Sequence, residues 1–226
     1  MPILQDNNMN KTLLAATLLA ATSFSAQASE LSYTFVEANY AQANFDDVDL
    51  YDININPTLV GWGLNGSFAI ADNFYAFGGY SSGKDDVLNY ADVNGTYSLD
   101  VSVDRTNIGF GYHMPVSDKT DFIAELSYIQ YDYDFDYSEV YLGNPNSESI
   151  KIDTSGARLS AGLRGQLFDS FEGYAKLNFT DSQDIEGDFG GNIGGQYKFN
   201  QTWGITGDIE FAKDAAIYTF GVRASF

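Results

Sequence analysis

The chain contains no cysteine, which excludes disulfides and thiolate metal sites. It has one histidine, His113, so the commonest general base is available at one place only. Proline is scarce, 4 in 226 residues, and little interrupts extended backbone. Positive charge is also scarce: 11 Lys and Arg against 31 Asp and Glu give a net charge of −20. That balance repels nucleic acid and anionic surfaces, so no nucleic-acid partner is expected. Beyond residue 28 there is no apolar run near the roughly 20 residues a helix needs to cross a bilayer. Glycine-rich nucleotide loops and zinc-ligand spacings are missing too, and no cofactor or metal is expected.

What is present points to strands. Aromatics make up 15% of the chain, with 16 Tyr and 17 Phe, and 22 glycines are interleaved with them. Hydrophobics at 44% and charges at 19% describe one folded domain and not a disordered chain. The N-terminus reads as an export signal. In "MNKTLLAATLLAATSFSAQA", Lys11 supplies the positive end, Leu13 to Ala21 a short apolar centre, and Ala26-Gln27-Ala28 a small-x-small cleavage pattern. Asp6 upstream spoils that pattern, so the start is placed at Met9. Residues 1–28 are thus an upstream segment and secretory signal peptide, and 29–226 the mature domain.

Period-two patterning predicts about ten strands, near 31–42, 58–71, 74–82, 97–114, 121–135, 153–168, 171–182, 187–199, 202–212 and 215–226. Connections at 71–73, 115–120, 169–170 and 200–201 are short, whereas 43–57, 83–96 and 136–152 read as long loops. Short turns at one end and long loops at the other are the layout of a transmembrane barrel. An even strand number returns both termini to one side, with eight strands as the runner-up to ten.

The strands each have two faces. Ala157, Leu159, Ala161 and Leu163 oppose Arg158, Ser160 and Arg164; Trp203, Ile205, Ile209 and Phe211 oppose Thr206, Asp208 and Glu210. A soluble β-sandwich alternates too, with its apolar face inside. Long unbroken strands, aromatics near strand ends and the export signal favour an antiparallel up-and-down transmembrane β-barrel, all-β. Two strands are less regular. Leu99, Val101 and Val103 have the opposite parity to Ile108, Phe110 and Tyr112, which predicts either a bulge near Arg105 or an upper half that projects beyond the membrane. In the third strand Phe74/Ala76 and Tyr75/Phe77 are both apolar, leaving its register open.

The chain ends on "TFGVRASF", with Tyr218, Phe220, Val222 and Phe226 on one face. This terminus resembles the signal that barrel-assembly machinery reads in bacterial outer-membrane proteins. The stretches "ELSYTFVEANY", "GWGLNGSFAIADNFYAFGGYS" and "TDFIAELSY" are similar to those of small bacterial outer-membrane β-barrel proteins of the porin-like, OmpA/OmpX-like kind. The resemblance implies an outer-membrane barrel of a Gram-negative bacterium, a monomer surrounded by lipid and lipopolysaccharide. It implies no reacting site.

Charge parity gives the candidate site. Arg158, Arg164, Lys176, Lys198 and Arg223 lie on polar faces, and a cation facing lipid near the midplane costs roughly 2–4 kcal/mol. They are therefore expected in the lumen, with Glu37, Glu125, Glu172, Asp208 and Glu210 of matching parity. Two uses remain open: a salt-bridge network filling a narrow barrel, or a charged constriction selecting ions. Gly61, Gly63, Gly109, Gly111, Gly162 and Gly221 share the inward face and would leave room for a pore.

Other acids, including Asp46, Asp47, Asp49, Asp52, Asp85, Asp86, Asp92, Asp132, Asp134, Asp136, Glu139, Glu148, Asp181, Asp184 and Glu186, crowd the expected outer loops. These suit weak divalent-cation binding without forming an EF-hand. His113 falls at the short-turn end, away from any outer catalytic constellation, so no enzyme is expected. The two functions left are an envelope-structural or surface-interaction role through acidic aromatic loops, and a narrow passive channel.

Overall fold

A computed structural model describes residues 31–46, 48–50, 53–182 and 187–226. The expected signal peptide and the expected start of the mature chain lie outside the described residues, as do Asp47, Asp52, Asp184 and Glu186. Among the described residues twelve strands follow in order: β1 Phe35–Phe45, β2 Val48–Leu50, β3 Ile53–Ile55, β4 Thr58–Ala71, β5 Phe74–Ala91, β6 Gly95–Ser117, β7 Thr120–Tyr141, β8 Asn144–Phe168, β9 Phe171–Ser182, β10 Asp188–Lys198, β11 Trp203–Ala212 and β12 Ala215–Ser225. β2 and β3 pair only with each other. The other ten close an antiparallel barrel in the order β1-β12-β11-β10-β9-β8-β7-β6-β5-β4.

Closure comes from β1 against β12, in register from Phe35 opposite Ser225 to Phe45 opposite Ala215. The C-terminus is held at the same rim as the start of β1. Phe226 donates its backbone N–H to the Thr34 carbonyl at 2.9 Å, and Ser32 Oγ donates to the Phe226 carbonyl at 2.8 Å. An open edge in hydrocarbon would leave backbone groups unpaired, and this seam removes it.

The two faces separate as their chemistry requires. Outward-pointing Trp62, Leu64, Phe68, Phe110, Leu126, Leu163, Ile193, Phe220 and Val222 are exposed; Ile108 is 63% and Leu177 72% accessible. Exposed Phe74, Phe168, Phe199, Trp203 and Phe226 ring the short-turn rim. Aromatic pairs Trp62–Tyr80 (5.5 Å) and Phe179–Phe189 (5.0 Å) also sit on the outside. An apolar band flanked by aromatics, around a polar interior, is stable only with lipid outside. In β5 the inward residues are Tyr75, 4% accessible, and Phe77, while Phe74 faces out.

Three expectations need correction. The segments 83–96 and 136–152 are not loops. β5 continues to Ala91, β6 starts at Gly95, and β7 and β8 meet across a two-residue turn at Leu142-Gly143. The alternating "DYDFDY" (132–137) is strand, with acids on one face and aromatics on the other. Second, β6 has no bulge near Arg105, and its pairing with β5 and β7 is continuous there. The irregularity lies on β5, between Asp86 and Leu88. Val101 and Val103 keep lumen parity because the upper strands extend past the membrane, the second alternative. Third, residues 31–34 precede β1 and are not part of it.

The β7–β8 turn places Leu142 at φ 47 and Gly143 at φ 81. Both residues of a type I′ hairpin turn need positive φ, which Asn, with a short polar side chain that hydrogen-bonds locally, tolerates better than Leu. Leu142→Asn is expected to stabilise the hairpin tip by about 1 kcal/mol. Amide hydrogen exchange near Tyr141 and Asn144 should slow severalfold; unchanged exchange would mean the turn carries no strain.

Candidate functional site

The lumen is where the inward residues of ten strands meet. Its lower end is packed with side chains. Leu31 and Tyr33, ahead of β1, form a buried cluster with Tyr75 of β5 and Ile123 of β7, and Phe77 packs against it. Tyr33 reaches strands on the far side of the ring. Its ring stacks on His113 of β6 at 3.8 Å and 16°. Arg164 of β8 lies over the same ring, with Cζ 4.7 Å from its centre. The Tyr33 hydroxyl donates to Asp121 Oδ2 of β7 at 2.8 Å, and His113 Nδ1 is 3.1 Å from that oxygen. Asp121 is fully buried. A His–Asp pair therefore exists, but it is sealed into the floor at the short-turn end.

The ten charged residues assigned to the lumen by parity are arranged as follows. Arg223 Nη2 meets Glu37 Oε2 at 2.7 Å, Lys176 Nζ meets Glu125 Oε2 at 2.9 Å, and Arg164 Nη2 meets Glu172 Oε2 at 2.7 Å. Lys198 also pairs with Glu172. Glu210 takes Arg158 Nη1 at 2.6 Å on one oxygen and Arg105 Nη1 at 3.0 Å on the other. Asp208 instead accepts from the Tyr174 hydroxyl at 2.7 Å and Asn192 Nδ2 at 3.2 Å. Each carboxylate has a donor because an unpaired charge in a narrow, poorly hydrated space is costly.

Arg105 was not singled out from the sequence. Its odd parity, shared with Asn107, Gly109 and Gly111, is the signal that was there, masked by the apolar Val101 and Val103 on the same face. Its pairing matters most geometrically. β6 and β11 stand five strands apart in the ring of ten, so the Arg105–Glu210 bridge spans the lumen.

The inward glycines do not hold a pore open. A Cβ on Gly111 would run into the Tyr75 ring, and one on Gly63 would lie 2.6 Å from Asn39 Oδ1. The missing side chains make room for neighbours that already fill the space. A cavity of about 500 Å³ remains, extending from Tyr33 and Tyr75 past Arg105 and Arg158 to Phe45, Tyr133 and Ala215.

Above the barrel the four longest strands continue its sheet. β4 pairs with β5 only as far as Lys84, and β9 with β8 only from Gly156. From Ser155 to Asn144, β8 therefore projects roughly 40 Å at about 3.3 Å per residue, bonded among the described residues only to β7. One face carries cross-strand rows of acids, Asp86–Asp100–Asp136 and Asp104–Asp132–Asp153. Lys151 pairs with Asp134 at 3.0 Å within them. Desolvation, and then the facing Asp86 and Asp136 carboxylates, push Asp100 above the usual carboxylate range. The other face carries Leu88, Tyr90, Tyr97, Leu99, Phe135, Tyr137, Ile150 and Ile152. At the chain end, Tyr218, Phe220, Val222 and Phe226 are all exposed on the lipid side.

No family model matches the sequence, and no curated relative does. Solved structures do. The outer membrane protease OmpT from Escherichia coli is similar at a TM-score of 0.53 with 6% identity, over 91% of this chain and 99% of that one. The translocator domain of autotransporter NalP from Neisseria meningitidis gives 0.48 and 10%, over 97% and 95%. Ail, the attachment invasion locus protein of Yersinia pestis, gives 0.42 and 12%, over 86% and 99%. Identities this low speak to fold alone. With its ten strands closed, its apolar and aromatic exterior and its charge-paired lumen, the chain is a transmembrane barrel with the fold of the bacterial outer-membrane β-barrel proteins.

Proposed function

We propose that this is a non-enzymatic surface-interaction protein of the Gram-negative outer membrane, in which the barrel is an anchor and the projecting β5–β8 sheet meets the partner. The observation that carries this reading is the sheet itself. Two strands suffice for a hairpin, and about 9–11 residues per strand suffice to cross the bilayer. β7 and β8 run to 22 and 25 residues. The excess builds an acidic face, an aromatic face and a β8 edge that is unpaired among the described residues, and exposed edges and apolar faces are recognition surfaces.

On this reading the barrel is a monomer in lipid and lipopolysaccharide, and the acidic face takes divalent cations as loosely held counterions. Assembly machinery would read the terminal strand through Tyr218, Phe220, Val222 and Phe226. A surface protease is disfavoured by the position of His113, stacked under Tyr33 in the floor.

The channel reading makes the opposite prediction about the lumen. With the Tyr33 cluster and the Arg105–Glu210 bridge in place, the refolded chain from Ser29 is expected to be electrically silent in a planar bilayer. Tyr33→Ala, which opens the floor, is expected to produce discrete conductance steps. Steps of equal size in the unmodified chain would sink the anchor reading and make the protein a channel. Trimming both long hairpins to the barrel rim should abolish adhesion of cells displaying it; equal adhesion would move the partner site elsewhere.

A further inference from the structure

The lumen of an outer-membrane barrel is ordinarily polar. Here its upper part also presents several apolar side chains. Phe45 of β1, Leu59 of β4, Val103 of β6, Ile129, Tyr131 and Tyr133 of β7 and Ile217 of β12 all face inward. Between them stand the small residues Ala41, Ala43, Ala212 and Ala215, along the upper part of a cavity whose full length, about 500 Å³, runs down to Tyr33 and Tyr75. That volume lies in the range of small-molecule sites, whose usual make-up is apolar walls with a few convergent polar groups.

The polar groups are at the base. One carboxylate, Glu210, serves two guanidiniums, Arg105 and Arg158. Arg158 uses its Nε on Thr180 Oγ1 at 2.9 Å. Arg105 Nε is buried and has no hydrogen-bond partner. Arg105 uses only Nη1 on Glu210, which leaves other guanidinium donors for an incoming acceptor. A carboxylate suits a guanidinium better than a neutral acceptor does, by charge and by its paired oxygens. Because the floor is closed below, a molecule entering from the hairpin end has nowhere to pass through.

We propose that the upper lumen is a dead-end cup for a small amphipathic monocarboxylate, its carboxylate on Arg105 and its apolar body against Tyr131, Tyr133, Val103 and Phe45. The proposal shares the closed floor with the anchor reading but does not depend on what the projecting sheet contacts. Conductance tests the floor, and ligand binding tests the cup.

The test is equilibrium dialysis of 1-naphthoate against the barrel in lipid nanodiscs, with empty nanodiscs subtracted and 1-naphthalenemethanol as the uncharged control. The expected result is saturable binding at one site per barrel, with the alcohol bound at least tenfold more weakly. Arg105→Gln should weaken 1-naphthoate at least tenfold and leave the alcohol unchanged. Ala43→Phe fills the cup without touching the ion pairs and should abolish both; it carries the test if Arg105→Gln does not fold, as read by heat-modifiable gel migration. Uptake that does not saturate beyond empty nanodiscs, or saturable binding untouched by Ala43→Phe, would overturn the proposal.

Discussion

Leu177→Arg is expected to lower folding stability in lipid by about 2–4 kcal/mol, the cost of a cation on the lipid face near the midplane. Leu177 sits mid-strand in β9, 72% accessible, with its side chain in the apolar band. Its neighbour Lys176 points the other way and pairs with Glu125 at 2.9 Å. One residue of sequence thus separates a position where a cation is used from one where it is expelled, because strand side chains alternate sides. Urea unfolding of the barrel in phospholipid vesicles measures the difference. A midpoint unchanged by Leu177→Arg would mean that this face is wet, and the assignment of inside and outside would be wrong.

Glu210→Gln is expected to cost about 3 kcal/mol by the same measurement, since removing one partner of a buried pair leaves the other charge uncompensated. Here two charges are left, Arg105 and Arg158, with side chains only 19% and 12% accessible. The double variant Glu210→Gln with Arg105→Gln should recover part of the loss, which separates charge imbalance from lost packing. Lys151→Ala is the control. Its side chain is 74% accessible, and exposed ion pairs contribute about 0–1 kcal/mol. Equal effects of Glu210→Gln and Lys151→Ala would show that the lumen is hydrated enough to screen its charges.

The sequence by itself determined the strands and their two faces. Alternation is a local property, visible in runs such as Ala157-Arg158-Leu159, and it is enough to put Arg158, Arg164, Lys176, Lys198 and Arg223 on polar faces. It also showed an even-numbered, up-and-down chain with an apolar last strand. It was misleading where an acidic, alternating strand runs on past 135: 136–152 resembles a polar loop in composition, although the Asp/aromatic alternation of 132–137 is that of a strand. Parity also says that Arg105 points inward, but not what it meets.

Only the tertiary structure decided who stands across the lumen. Arg105 and Glu210 are 105 residues apart in the chain and become partners because closing ten staggered strands puts β6 opposite β11. The same closure brings Tyr33 over His113 and Asp121 and turns inward glycines from apparent space into room for Tyr75 and Asn39. Whether a lumen is open or filled depends on ring diameter and on side chains reaching from several strands at once. No single stretch of sequence contains those distances.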